Sequence, residues 1–175
     1  MKPESRSRVK PVSASRSQSH GQALIEFILI FPMLFLLIVN AINFGAFFFA
    51  WITVANAARA GASYWTLTSA SVGSPTPATA AQVTTLVTND ISSLLNRSSL
   101  VVRVCTNNNG SVTCTGSGSG TPAVDPEAPT YVSASVDVTY TFKPPIPLFT
   151  FSNLGIHATL PSTTVHRQAT MRMVQ

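Results

Sequence analysis

The 175-residue sequence predicts an α+β protein, in which a long N-terminal transmembrane α-helix leads into a small exported domain. That domain should hold one amphipathic helix and an antiparallel β-sheet. Three observations carry this expectation. Residues Phe27 to Ala58 are all uncharged, bounded by Glu26 and Arg59. Val83, Leu86, Val87, Ile91, Leu94 and Leu95 recur at helical spacing. Tyr131–Phe142 alternates apolar and polar residues with a period of two, as a half-buried antiparallel strand does.

The charge distribution narrows the class further. Eleven Lys and Arg stand against six Asp and Glu, a formal net charge of +5, and only 10% of residues are charged. Soluble domains run near 25%, so an ordinary cytosolic enzyme is disfavoured. Lys2, Arg6, Arg8, Lys10 and Arg16 all lie in the first twenty residues, opposed only by Glu4. The rest of the chain is close to neutral. A high pI of this origin does not indicate a polyanionic partner, and no nucleic-acid motif is present.

The uncharged run accounts for the transmembrane element. It contains FILIFPMLFLLIV and, after Asn40 and Asn43, FGAFFFAWITVA. A spanning helix needs about 20 apolar residues, whereas a cleaved secretory signal has a core of roughly 7–15. The run exceeds the second limit, although Ala55-Asn56-Ala57 mimics a signal-peptidase site. Basic residues before the span and only Arg59 close after it place the N-terminus in the cytoplasm. Residues after about 55 then lie across the membrane, with Trp51, Tyr64 and Trp65 suited to the far interface. Pro32 either kinks the helix or is a tolerated membrane-helix proline.

The start of the span holds the most specific pattern. A Ser-rich basic leader precedes Gly21, Gln22-Ala-Leu-Ile, then Glu26-Phe27. A carboxylate at the membrane edge is costly without a partner, and Glu26 has no obvious partner within the helix. Cleavage after Gly21 would create one, the α-amino group of Gln22 on a neighbouring subunit, and would offset the desolvation cost only on assembly. Glu26 is equally compatible with a headgroup position, favourable to the helix dipole.

These residues resemble a known family. Gly21-Gln22-Ala-Leu-Ile-Glu26-Phe27 looks like a class of prepilin peptidase sites, in which cleavage follows glycine and glutamate plus an aromatic residue follow at the fifth and sixth positions. The longer stretch to Ala62 is similar to the TadE-like pseudopilins of the tight-adherence (Tad/Flp, type IVb) pilus system. The proline at 32, the Asn/Gly break and the closing Ala57-Ala58-Arg59-Ala60-Gly61-Ala62 all match. The resemblance is strong over 21–65 and weaker over 136–148; the Pro- and Thr-rich distal region does not align. It implies a minor pseudopilin in a bacterial cytoplasmic membrane, cut after Gly21, with Glu26 and Phe27 serving recognition and assembly. Implied partners are the prepilin peptidase, other pilins and pseudopilins, the assembly platform and membrane lipid. The alternative is an uncleaved single-pass membrane protein with an exported binding or adhesion domain. Neither involves nucleic acid or a small-molecule substrate.

The organisation that follows is a leader at 1–21, a helix with its extension at 22–68, and an exported domain at 76–175. Thr76-Pro77 has the chemistry of an N-cap followed by a first helical residue, so the amphipathic helix should start there. Leu100–Cys105 reads as a strand with Leu100, Val102 and Val104 on one face. Asn109-Gly110 is a hairpin signal, and a two-residue turn there pairs positions whose numbers sum to 219. Cys105 and Cys114 satisfy that sum at a non-hydrogen-bonded site. The Cα separation there, about 4.5 Å, suits a disulfide, and an oxidising compartment would favour it. The Gly/Ser segment over 115–130 reads as a flexible loop. A final strand over Val165–Met173 should turn Val165, Ala169, Met171 and Met173 to the core.

No catalytic, cofactor or metal residues are expected. His157 and His166 fall in or near edge strands, Asp125-Pro-Glu127 lies in a loop without a partnered acid, and no G-x-S-x-G, Walker or Rossmann pattern occurs.

Overall fold

The structure, a computed structural model, describes residues 19–67, 78–127, 131–147, 150–151 and 156–173. The chain divides into two compact units, 1–38 and 39–175. Helix α1 (Ser19–Thr66) contributes to both, with Pro32 inside it. Within the first unit, the large apolar side chains from Leu24 to Ile38 are all exposed.

The second unit is built around the later part of α1. Val39, Asn43, Ala50, Val54, Ala57, Ala58 and Ala62 are buried there. Their spacing follows the helical repeat, so they form one face. Most are small, which brings the helix axis close to its neighbours. Gly61 is the limiting case. A Cβ at this position would sit 2.8 Å from Val87 Cγ2 and 3.3 Å from Val136 Cγ1. The Ala-Ala-Arg-x-Gly-Ala sequence thus turns its small residues to the core and leaves Arg59 exposed.

Helix α2 (Ala80–Asp90) supplies Val83 and Val87 to this contact. It starts later than the sequence suggests. Thr76-Pro77 lie outside the described residues, and the N-cap is Thr79, whose side chain accepts from Gln82 N while Gln82 Oε1 accepts from Thr79 N at 2.8 Å. This reciprocal pair is a capping box. The helix also ends early, at Asp90, so the expected apolar stripe breaks. Ile91 and Leu94 are buried through the following turns, but Leu95 is 60% exposed. The Leu95 carbonyl instead accepts from the Tyr140 hydroxyl. A short 3₁₀ turn, Arg97–Ser99, then leads into the sheet.

Four strands form an antiparallel sheet in the order β2-β1-β3-β6. They are β1 (Val101–Asn108), β2 (Ser111–Gly116), β3 (Val132–Phe142) and β6 (Thr163–Met173). Two short strands, β4 (Thr150–Phe151) and β5 (Ile156–His157), pair separately. The β1–β2 hairpin turns at Asn109-Gly110, both at positive φ, and its register places Cys105 opposite Cys114. The two cysteines form a disulfide with Cα atoms 4.1 Å apart.

The inner face of the sheet carries Val104, Val136, Val138, Tyr140, Phe142 and Val165, all buried with α1 and α2 in one core. On β6, Ala169 and Met171 also border it. The other face differs from the half-buried expectation. Ser133, Ser135 and Asp137 are as buried as their apolar neighbours. The Gly/Ser segment covers them and has defined anchors. Arg103 Nη1 donates to Gly118 O at 2.6 Å, Gly120 N donates to Asp137 Oδ2 at 2.9 Å, and Asn107 Nδ2 donates to Pro122 O at 2.9 Å. A Cβ on Gly120 would meet Asp137 Oδ2 at 2.7 Å. Glycine here permits close approach to a buried carboxylate, a role that composition alone cannot distinguish from that of a linker.

Asp125 and Glu127 also have a partner. Arg172 donates from Nε to Asp125 Oδ2 at 2.7 Å, from Nη2 to Asp125 Oδ1 at 3.0 Å and from Nη1 to Glu127 Oε2 at 3.1 Å. The Glu127 backbone N–H, and after it the Arg172 side chain, hold Asp125 below its ordinary pKa. The same two carboxylates raise Arg172.

Candidate functional site

The first turns of α1 bring Gly21, Gln22, Glu26 and Phe27 onto one helix. A carboxylate four residues after an amide lies one turn above it, and Gln22 Nε2 donates to Glu26 Oε1 at 3.3 Å. Glu26 therefore has a partner within the helix, contrary to the expectation from charge alone, which considered only cations. Both residues are exposed, as is Gly21, where an added Cβ would meet nothing within 4 Å. Phe27 meets Phe31 in a tilted pair with ring centroids 5.5 Å apart, and Phe31 stacks on Phe35 at 6.2 Å. These rings, with Leu24, Ile25, Ile28 and Leu29, present apolar surface around the helix.

Residues 21–38 cover about 27 Å at 1.5 Å per residue, close to the roughly 30 Å hydrocarbon core of a bilayer. Among the described residues, α1 is the one helix long and apolar enough to cross a membrane. Its apolar run serves two purposes. The stretch up to Ile38 is left exposed by the described residues, while one face of the stretch from Val39 onward is core.

Two asparagines mark the start of the second stretch. Asn40 Nδ2 donates to Ala158 O at 3.0 Å. Asn43 is fully buried and uses both ends of its amide. Its Nδ2 donates to Ile146 O at 3.1 Å, and its Oδ1 accepts from Ile146 N at 3.3 Å. The sequence reads these asparagines only as a break in an apolar run. The available signal was the cost of a buried amide, which demands a polar partner. The partner itself is more than one hundred residues away.

The remaining candidates do not converge. His166 Nε2 lies 2.5 Å from Asp137 Oδ1 on the outer face of the sheet. The disulfide staples the hairpin at its far edge. Among the described residues, no group of three or more His, Cys, Asp or Glu is placed to hold a metal.

A long apolar helix with a carboxylate near its start leads into a small α+β domain, the arrangement expected of a protein with one N-terminal membrane anchor. Residues 21–63 match the family model described as TadE-like protein. The match covers the stretch from Gly21 through the Gly61-Ala62 contact and supports a component related to the Tad pilus. No curated protein and no solved structure matches the chain.

Proposed function

We propose that this chain is a TadE-like minor pseudopilin, a membrane-anchored assembly component of a Tad/Flp pilus, matured by prepilin peptidase after Gly21. The observation that carries this reading is the exposed apolar helix over 21–38, which requires lipid or neighbouring helices to cover it. The family match begins at Gly21, next to the proposed cut. In this reading the leader stays in the cytoplasm and the domain lies outside the bacterial cytoplasmic membrane. After cutting, the Gln22 amine of one subunit meets Glu26 of another, and the domain contacts other pilins or the assembly platform.

One observation favours the alternative, an uncleaved single-pass protein with a binding or adhesion domain. Helix α1 already runs through Gly21 from Ser19, so the scissile bond is helical in the uncut chain. Glycine lowers the cost of opening that turn by up to about 1 kcal/mol relative to alanine. N-terminal sequencing of protein extracted from pilus-producing membranes separates the readings. Pseudopilin maturation gives Gln22 as the first residue in the wild type and Met1 in Gly21→Ala. A wild-type chain that keeps Met1 is uncleaved. In the same experiment, Glu26→Ala should be cut yet fail to assemble, and normal pili in that variant would refute the charge pairing.

A further inference from the structure

The sheet leaves one long edge open. Strand β6 ends the order β2-β1-β3-β6, and its 11 residues pair with β3 without interruption from Thr163 to Met173. Among the described residues, no strand lies on its other side. The tight turn at Asn109-Gly110 makes Asn108 and Ser111 a hydrogen-bonded pair, and bonded and non-bonded pairs alternate along an antiparallel ladder. Followed through the registers of β1, β3 and β6, this alternation assigns the odd-numbered residues of β6 to bonds with β3. Thr164, His166, Gln168, Thr170 and Arg172 therefore turn their N–H and C=O groups to the open edge.

Natural sheet edges are guarded by short strands, proline, bulges or charged side chains. The opposite edge, β2, is only six residues long. Strand β6 has no proline and no bulge, and its cations are held elsewhere. His166 Nε2 lies 2.5 Å from Asp137 Oδ1, Arg172 is bonded to Asp125 and Glu127, and the Arg167 guanidinium lies 3.6 Å from the centre of the Trp51 ring. A groove of about 460 Å³ runs beside this edge, bordered by Trp51, Ala55 and Arg59 of α1 and by the contiguous residues 167–171 of β6. Consecutive residues of both side-chain rows border it, so it opens at the margin of the strand rather than beneath the sheet. An added strand about 4.8 Å outside β6 would lie across its mouth and turn alternate side chains into it. Arg59 is exposed there and makes no ion pair among the described residues. A carboxylate in that inward row would pair with it.

We propose that β6 accepts an extended, acidic segment of another protein as a fifth strand, with carboxylates on alternate residues facing Arg59. Main-chain bonds along the edge supply affinity, and the groove selects the side chains. A second copy of this chain does not fit. Trp51 meets Arg167 and Ser63 meets Met171, so α1 runs alongside β6 in the same direction. Antiparallel pairing of two β6 strands would make the two α1 helices antiparallel. Their chains would then enter from opposite ends, which one membrane does not allow. Parallel pairing would set His166, Arg167 and Arg172 each against its own copy, and like charges directly opposed are destabilising. The choice of another protein over a second copy rests on the reading of α1 as a membrane anchor. The open edge does not, and neither depends on leader cleavage.

The test uses the full chain in non-ionic detergent and a short blocked peptide of alternating valine and glutamate. Residue-resolved amide exchange should show the peptide protecting His166, Gln168 and Thr170, whose N–H groups face the edge, and leaving Arg167 and Ala169 unchanged. Gln168→Pro costs the sheet no hydrogen bond, because that N–H points away from β3. It should abolish peptide binding measured by fluorescence anisotropy, while Gln168→Ala retains it. N-methylating the peptide backbone should abolish binding to the wild type as well, a check that needs no variant to fold. Arg59→Glu should weaken binding of the glutamate peptide by about tenfold and favour a valine–lysine peptide. Equal binding of the N-methylated peptide or of the valine–lysine peptide by the wild type overturns the proposal, as does the absence of protection at 166, 168 and 170. Sedimentation separates the occupants: a wild-type dimer that Gln168→Pro converts to monomer would overturn the choice of partner and assign the edge to a second copy. Chains beginning at Met1 and at Gln22 carry the same edge, so its failure leaves the pseudopilin reading standing, and the reverse also holds.

Discussion

Asn43 and Ile146 exchange two hydrogen bonds, joining the middle of an apolar helix to the Pro-rich segment after β3. Each end of the amide satisfies a backbone group of the same residue. Asn43→Leu preserves apolarity but leaves the Ile146 N–H and C=O without this partner. Stability should fall by about 1–3 kcal/mol, measured by urea unfolding of the full chain in detergent. An unchanged midpoint would show that water replaces the amide at no cost.

The Gly61–Val87 contact makes a prediction with two opposing contributions. Alanine is favoured over glycine in a helix by up to about 1 kcal/mol, but overpacking typically costs about 1–3 kcal/mol. The added Cβ would lie 2.8 Å from a stiff valine methyl, so Gly61→Ala should be net destabilising. Val87→Ala removes that methyl, and the double variant should be more stable than the sum of the two single effects predicts. Additive losses in the double-mutant cycle would refute steric coupling.

Cys105 and Cys114 are nine positions apart and are the chain's two cysteines. Closing a loop of this size stabilises by about 2–3 kcal/mol in the chain-entropy account. Reduction, or Cys105→Ser with Cys114→Ser, should therefore lower the denaturation midpoint without changing helix content. The comparison is made with and without reductant, and the double serine variant should show no response to it. A response in that variant would mean that reductant acts elsewhere.

Asp125 provides a pH dependence. Its carboxyl ordinarily titrates near 3.8 and is held lower in the folded chain, first by the Glu127 N–H and then by Arg172. A group with a depressed folded pKa contributes stability above its unfolded value and loses it as pH falls through the folded value. The contribution is thus complete at neutral pH, begins to fall as pH approaches the ordinary value near 3.8, and is gone only below the lower folded value. Arg172→Gln removes part of the depression, so its stability should decline less steeply than wild type on acidification from pH 5 to pH 2. Parallel acid profiles would contradict this assignment.

The legible part of the fold was that governed by local rules. Period-two alternation placed β3, and the Asn109-Gly110 turn gave the register that sets Cys105 against Cys114. Helical spacing identified Val83 and Val87 as one face. Competing local signals produced the differences at α2. Thr76-Pro77 and Thr79 both have cap chemistry, but only Thr79 has a glutamine three residues on to complete the box. Leu95 fits the stripe by number, yet the helix ends at Asp90 and removes the geometry that the count assumed. The burial of Ser133, Ser135 and Asp137 depends on a distant Gly/Ser segment crossing the strand, and no pattern within β3 encodes that cover. The same holds for Asp125 with Arg172 and for Asn43 with Ile146. Within the proposed processing site, Glu26 was conspicuous because a carboxylate interrupts the approach to an apolar run. Its bond to Gln22 needed only the one-turn spacing that was already visible.

The small-residue face of α1 has a consequence for dissecting the protein. A soluble fragment cut at residue 76, where the exported domain was expected to begin, would keep α2 but lose the α1 face that completes the core. Val136 would lose its contact with Gly61 and Phe142 its contact with Phe47, opening that side of the core to water. Such a truncation would be expected to aggregate or to recruit a substitute helix. A fragment meant to keep this core must begin no later than Val39. The later part of α1 is the lid of the sheet, so a severed domain keeps its fold only if it carries that stretch of helix with it.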